Sequence, residues 1–112
     1  MTLASIARDI RRQFLGRRVL VSLHAGVEEA GWLLARFPIT LQSVETGEEG
    51  SVPDYLALSG DPVEIGDAIF LTEVALPVGE GGARTTLDAA GDVVVEAETH
   101  SLRVTALDVR GH

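Results

Sequence analysis

The chain has 112 residues, 46% of them apolar and 23% charged, with a formal net charge of −8. That size and balance fit one globular domain and exclude a disordered segment. Cysteine, lysine and asparagine are all missing, which removes disulfides and thiolate metal sites, and no apolar run approaches the ~20 residues that span a bilayer.

Charge is unevenly distributed along the chain. Residues 1–18 carry five arginines against Asp9, giving +4, while residues 19–112 carry four arginines against sixteen acids, giving −12. An acidic body repels polyanions, and nucleic-acid binding usually needs a basic face. DNA is therefore not an expected partner, and neither is a membrane. The first residues lack the charged-then-apolar order of a secretory leader, so the cytoplasm is the expected location.

Leu3, Ile6, Ala7, Ile10 and Phe14 form one helical stripe, with Thr2 as a cap and Gly16 as a stop. The stripe predicts a helix over residues 1–15 that docks on the rest of the domain, at the mouth of a barrel. From Arg17 the period changes to two. Val19, Val21 and Leu23 face one side and Leu20, Ser22 and His24 the other. Ala25-Gly26 reads as a turn. A second strand is predicted over residues 27–36, interrupted by Gly31 and ended by Pro38, and a third over residues 39–45. Residues 46–54 form a polar loop. A short strand over residues 55–58 and a turn over 59–62 follow. Gly66-Asp67 then introduces a strand over residues 68–76. After a glycine-rich connection over residues 78–83, two appended strands are predicted over 93–98 and 102–109, with a short one over Arg84–Leu87 before the turn at 88–92.

The order helix, glycine, V-x-V-x-L, glycine and a second glycine falls on Gly16, Val19, Val21, Leu23, Gly26 and Gly31, followed by Leu33. It resembles the first Sm motif of Sm-like proteins. The run Ile65-Gly66-Asp67-Ala68-Ile69-Phe70-Leu71 is similar to the second. The resemblance covers residues 3–75. It implies an N-terminal helix on a strongly bent, SH3-like five-stranded barrel, assembly into rings through edge strands, and RNA at the pore or helix face. The chain departs from the family at the RNA-contacting Asp-x-x-x-Asn, where it reads Arg36-Phe37-Pro38-Ile39-Thr40. It also lacks the Arg before Gly66 and has only Gln13 near the helical Gln of the bacterial branch.

Candidate chemistry is sparse. Arg8, Arg11, Arg12, Arg17 and Arg18 are a candidate phosphate- or partner-contacting patch, because the guanidinium fork suits phosphate. A solvated helix face that neutralises the acidic barrel, or the next subunit's acidic edge, is the preferred reading. His24, His100 and His112 read as surface histidines. Ser22 and His24 share a strand face but lack an orienting carboxylate and an oxyanion hole. Asp88, Asp92, Glu96 and Glu98 match no calcium loop, and Glu45, Glu48, Glu49 and Asp54 read as a solvated loop. The Gly79–Gly82 stretch lacks the Lys-Ser/Thr of a phosphate loop. Trp32 is expected in the core or at a subunit contact. No catalytic residue, metal ligand or cofactor is assigned.

These patterns define a mainly-β domain: a helix over residues 1–15, a small bent barrel over 16–76 and a C-terminal β extension over 77–112. The expected role is a non-enzymatic, homo-oligomeric binding module, with a protein partner preferred over a short RNA. A structural or assembly adaptor is the alternative, and a small hydrolase with a carboxylate site ranks last.

Overall fold

The structure, a computed structural model, describes residues 2–26, 31–47, 54–70, 72–79, 81–87 and 91–107. Among the described residues one helix, α1 (Leu3–Phe14), precedes nine strands: β1 (Arg18–Ala25), β2 (Trp32–Gly47), β3 (Asp54–Gly60), β4 (Val63–Ile65), β5 (Ala68–Phe70), β6 (Glu73–Val78), β7 (Arg84–Leu87), β8 (Val93–Glu96) and β9 (His100–Ala106). Seven strands form an antiparallel sheet in the order β6-β3-β2-β1-β9-β8-β7, and β4 and β5 form a separate two-stranded sheet.

The helix follows its stripe. Thr2 caps it reciprocally with Ser5, and Ile6, Ala7, Ile10 and Phe14 are buried. They join Val19, Val21, Leu41, Leu56, Leu58, Leu76, Val95, Leu102 and Val104 in one core. The β1 alternation is as read from the sequence: Val19 and Val21 lie in that core. Two bonds fasten the helix exit to β2, from the Gly16 amide to the Leu41 carbonyl and from the Leu41 amide to the Arg17 carbonyl.

Pro38 does not end a strand. It lies within β2, a single strand of 16 residues, and is paired with Leu20. Proline is tolerated there because, among the described residues, 32–40 pair only with β1, on one side, while Leu41 to Gly47 pair with β3. The ladders skip Leu34, between His24↔Leu33 and Leu23↔Ala35, and Gln42, between Leu41↔Gly60 and Ser43↔Ser59. Bulges at these two points bend the strand, and β2 passes from one part of the sheet to the other. Of the strand expected over 27–36, residues 27–30 lie outside the described residues.

The mainly-β class with an N-terminal helix holds, but the sheet is not a closed barrel. Its end strands β6 and β7 do not pair. The sheet curls instead, bringing β6 near β9 and β1. Pro77 in β6 has no amide proton to offer a further ladder, and β7 is only four residues long. The strands expected as a C-terminal appendage are also placed differently. β9 lies inside the sheet, between β1 and β8, because its alternation matches theirs: Val21↔Val104 and Leu23↔Leu102 on one side, Val95↔Leu102 on the other. The strand expected over 68–76 divides into β5 and β6.

Candidate functional site

The five N-terminal arginines do not converge on a common point. Arg11 donates from Nε and Nη2 to the Val44 carbonyl at 3.1 and 3.0 Å, clamping the helix to β2. Arg17 donates to the Gln13 carbonyl at 3.0 Å and stacks over the Phe14 ring at 5.6 Å. Arg18 reaches Thr40 Oγ1 at 3.4 Å. Arg8 lies 3.9 Å from the Asp9 carboxylate, with both side chains largely exposed. Arg12 is exposed. Thus Arg11, Arg17 and Arg18 engage the fold, while Arg8 and Arg12 are left on the outer helix face.

His24 is not a surface residue. It is buried with Ser22 and Ser101 on the sheet face opposite Val19 and Val21. The cross-strand register sets His24 opposite Ser101 and Ser22 opposite Arg103 on one side and Arg36 on the other. Ser22 thus lies between two long side chains. Arg36 Nε donates to Ser22 Oγ at 3.2 Å, and Arg103 pairs with Asp92 at 2.5 Å. In the next row Arg84 grips one oxygen of Glu96 with Nε and Nη2 at 3.1 and 2.9 Å. Ser101 therefore sits between His24 and Glu96. A nucleophile–base–carboxylate relay instead needs the histidine in the middle.

His24 Nδ1 and Ser101 Oγ are buried without a hydrogen-bond partner among the described residues. An unsatisfied buried hydroxyl costs about 1–3 kcal/mol. Ser101→Ala is expected to leave stability unchanged or raise it by up to about 1 kcal/mol, read from urea unfolding. A loss beyond about 1 kcal/mol would show that the hydroxyl is bonded in the folded protein.

The other candidates are dispersed. Asp92 and Glu96 are held by arginines, Glu98 lies against Gly79, and His100 Nδ1 contacts its neighbour Thr99 Oγ1 at 2.8 Å. Glu45 and Asp54 are exposed. Asp88, Glu48, Glu49 and His112 lie outside the described residues. Among the described residues no group of three or more His, Asp or Glu could hold a metal ion. No helix among them is long and apolar enough to cross a membrane.

The feature that stands out is a fork of exposed apolar strand. Both tines leave the junction where Leu41 pairs with Gly60. One tine is the first part of β2, ending in Trp32, Leu33 and Leu34, with Trp32 78% exposed. Among the described residues, no strand pairs with its side away from β1. The other tine is the β4–β5 hairpin, in which all ten residues from 61 to 70 are exposed. Val63, Ile65, Ile69 and Phe70 lie there, with Ile65 and Ile69 each 64% exposed.

Local chemistry explains the arm. Pro62 follows Asp61 and has no amide proton, so the β3–β6 ladder cannot run through it. Gly66, at φ +62°, makes the turn that pairs Ile65 with Ala68. The base is clamped by the Gly60 amide on the Thr72 carbonyl at 2.8 Å and by Thr72 Oγ1 on the Asp61 carbonyl at 2.9 Å. The sequence stretch that resembles the second Sm motif is thus the tip of this arm. Trp32, expected in the core or at a contact, is not in the core.

Fold and site together define a small curled β-sheet domain capped by one helix and carrying an exposed apolar fork. The chain is similar in fold to the crystal structure of the Bacillus subtilis YojF protein, with a TM-score of 0.60 and 11% identity over 99% of this chain and 95% of that one. No protein-family model and no curated protein matches it.

Proposed function

We propose that this protein is a non-enzymatic, cytoplasmic binding module that engages a protein partner through its apolar fork. The observation that carries this reading is the run of ten exposed residues in the β4–β5 arm, four of them large and apolar. Scattered surface hydrophobics are ordinary, but a contiguous apolar projection marks an interaction surface. The unpaired side of β2 adds a strand edge to which an extended segment can hydrogen-bond. The distribution of charge favours protein over RNA, because the arm is acidic and three of the five candidate arginines serve the fold. A short RNA on Arg8 and Arg12 is the second reading, motivated by the Sm-like resemblance and their outward position. A role as an assembly adaptor would use the same fork.

The test is affinity purification from the native host with tagged wild type and tagged Trp32→Ser/Ile69→Asp. The wild type is expected to retain a protein, either another polypeptide or an untagged copy, and the variant to lose it. Recovery that nuclease abolishes would favour RNA. Equal retention by both forms would overturn the fork as the binding element.

A further inference from the structure

We propose that the β4–β5 arm takes a basic amphipathic segment of another polypeptide. Apolar side chains of that segment cover one face of the arm, and its Lys or Arg residues meet the carboxylates around that face. The proposal rests on the fork being a binding element and names the chemistry of its partner.

The register of the arm sorts its side chains. Val63 pairs with Phe70, Glu64 with Ile69 and Ile65 with Ala68. Cross-strand partners share a face, and successive residues alternate between faces. Val63, Ile65, Ala68 and Phe70 therefore make one face without a polar side chain, and Glu64 and Ile69 make the other. All six are exposed. A two-stranded ribbon is marginally stable in water and gains stability from a further element packed on it. Its apolar face is the part that such an element would cover.

Charge selects the covering segment. Asp61 stands at the base of the arm, Glu64 on its reverse face and Asp67 in its turn, and all three are exposed. An apolar centre inside a polar rim is the anatomy of a protein interface, and here the rim carries one sign. Among the described residues none of these three carboxylates pairs with a cation, whereas Asp92 and Glu96 on the large sheet are each held by an arginine. The sequence between Arg36 and Arg84 has nine acids and no basic residue, so this stretch does not neutralise itself. A partner with a cationic rim is drawn to the arm and set in register on it, while an acidic segment or a polyanion is repelled.

Fluorescence anisotropy tests this with labelled Leu/Lys peptides of one composition, one with alternating and one with helical spacing, and with their Leu/Glu counterparts. At least one Leu/Lys peptide is expected to bind wild type, more weakly as salt is raised, and neither Leu/Glu peptide to bind. Glu64→Lys/Asp67→Lys should weaken that binding about tenfold. Glu45→Lys/Asp54→Lys is the control, at two exposed positions on the large sheet. Each substitution adds two charges, so both variants carry −4 in place of −8, and the control should bind nearly as wild type does. Ile65→Ser/Phe70→Ser keeps the net charge and should abolish binding. All six positions are exposed, so circular dichroism is expected to show each variant melting near the wild-type temperature. If the charge-reversed arm does not, Glu64→Gln/Asp67→Asn takes its place, with a smaller loss expected. The proposal is overturned if no Leu/Lys peptide binds, or if a Leu/Glu peptide binds as tightly. It is equally overturned if the control loses as much affinity as the arm variant, or if the serine variant binds as wild type. Capture of a host protein that depends on Trp32 and Ile69, alongside Leu/Lys peptides that do not bind, refutes the basic segment alone and leaves the binding-module reading standing.

Discussion

Phe14→Ala is expected to lower stability by about 3–5 kcal/mol, the range for truncating a buried aromatic. Phe14 is 1% exposed and ranks first by volume among the fully buried side chains. It closes the helical stripe against the strands, so its removal leaves a cavity at the point where α1 turns into β1. The ring also lies under the Arg17 guanidinium, a contact worth roughly 0.5–1 kcal/mol at an exposed site. A domain of this length has about 6–17 kcal/mol of total stability, so the variant should fold with a much smaller margin. The thermal midpoint should fall by roughly 13–21 °C. Leu15→Ala, one residue on and half exposed, is the control and should move it little. A Phe14→Ala shift no larger than the control's would mean that the helix is not part of the cooperative core.

Gly60→Ala is the second large effect, and it ties stability to the arm. A Cβ at Gly60 would lie 2.5 Å from Ile39 Cβ and 2.9 Å from its Cγ2. Ile39 is β-branched and buried in the core, so it cannot swing aside as the end of a long side chain could. The backbone must separate at the junction of the fork instead. Overpacking of this kind costs about 1–3 kcal/mol. It also strains the Gly60–Thr72 bond that clamps the base of the arm. The expected result is a lower midpoint together with weaker retention of whatever the fork holds in affinity purification. Gly66→Ala separates the two effects: no atom lies within 4 Å of its added Cβ, and its positive φ strains only the arm's turn. A Gly60→Ala protein that melts and retains its partner as wild type would overturn the reading of Gly60 as the hinge of the fork.

Local patterns carried much of this fold. The 3.6-residue stripe of α1 and the alternation of β1 depend on neighbours within a few residues, and both are legible as strings. Pro38 misled because a proline ends a strand only when both edges are paired, and which edge of β2 is free is a tertiary fact. Gly66-Asp67 introduces a strand, as read. The string does not reveal that Pro62 and Thr72 separate that strand from the sheet. His24 looked like a surface residue because its neighbours come from elsewhere in the chain: the register sets it between Leu33 on β2 and Ser101 on β9. The arginine patch was legible as charge. Its division into Arg11, Arg17 and Arg18 on the fold and Arg8 and Arg12 outside was not, because the acceptors are the carbonyls of Val44 and Gln13 and the hydroxyl of Thr40. Of the fork's apolar residues, Ile69 and Phe70 were legible as members of a strand over residues 68–76. That nothing among the described residues covers Val63, Ile65, Ile69 and Phe70 is a tertiary fact.

The position of β9 between β1 and β8 sets the order in which the molecule can be made. Chains emerge from the ribosome at about 5–20 residues per second, N-terminus first. Until His100–Ala106 is released, β1 has a partner on one side only, and β7 and β8 have no route into the sheet. The core stays incomplete for the whole of synthesis up to that point, missing Leu102 and Val104. A nascent chain stalled before residue 100 therefore presents an open, apolar β1 edge that invites intermolecular strand pairing. A product truncated before residue 100 lacks β9, the strand that joins β1 to β8 and β7.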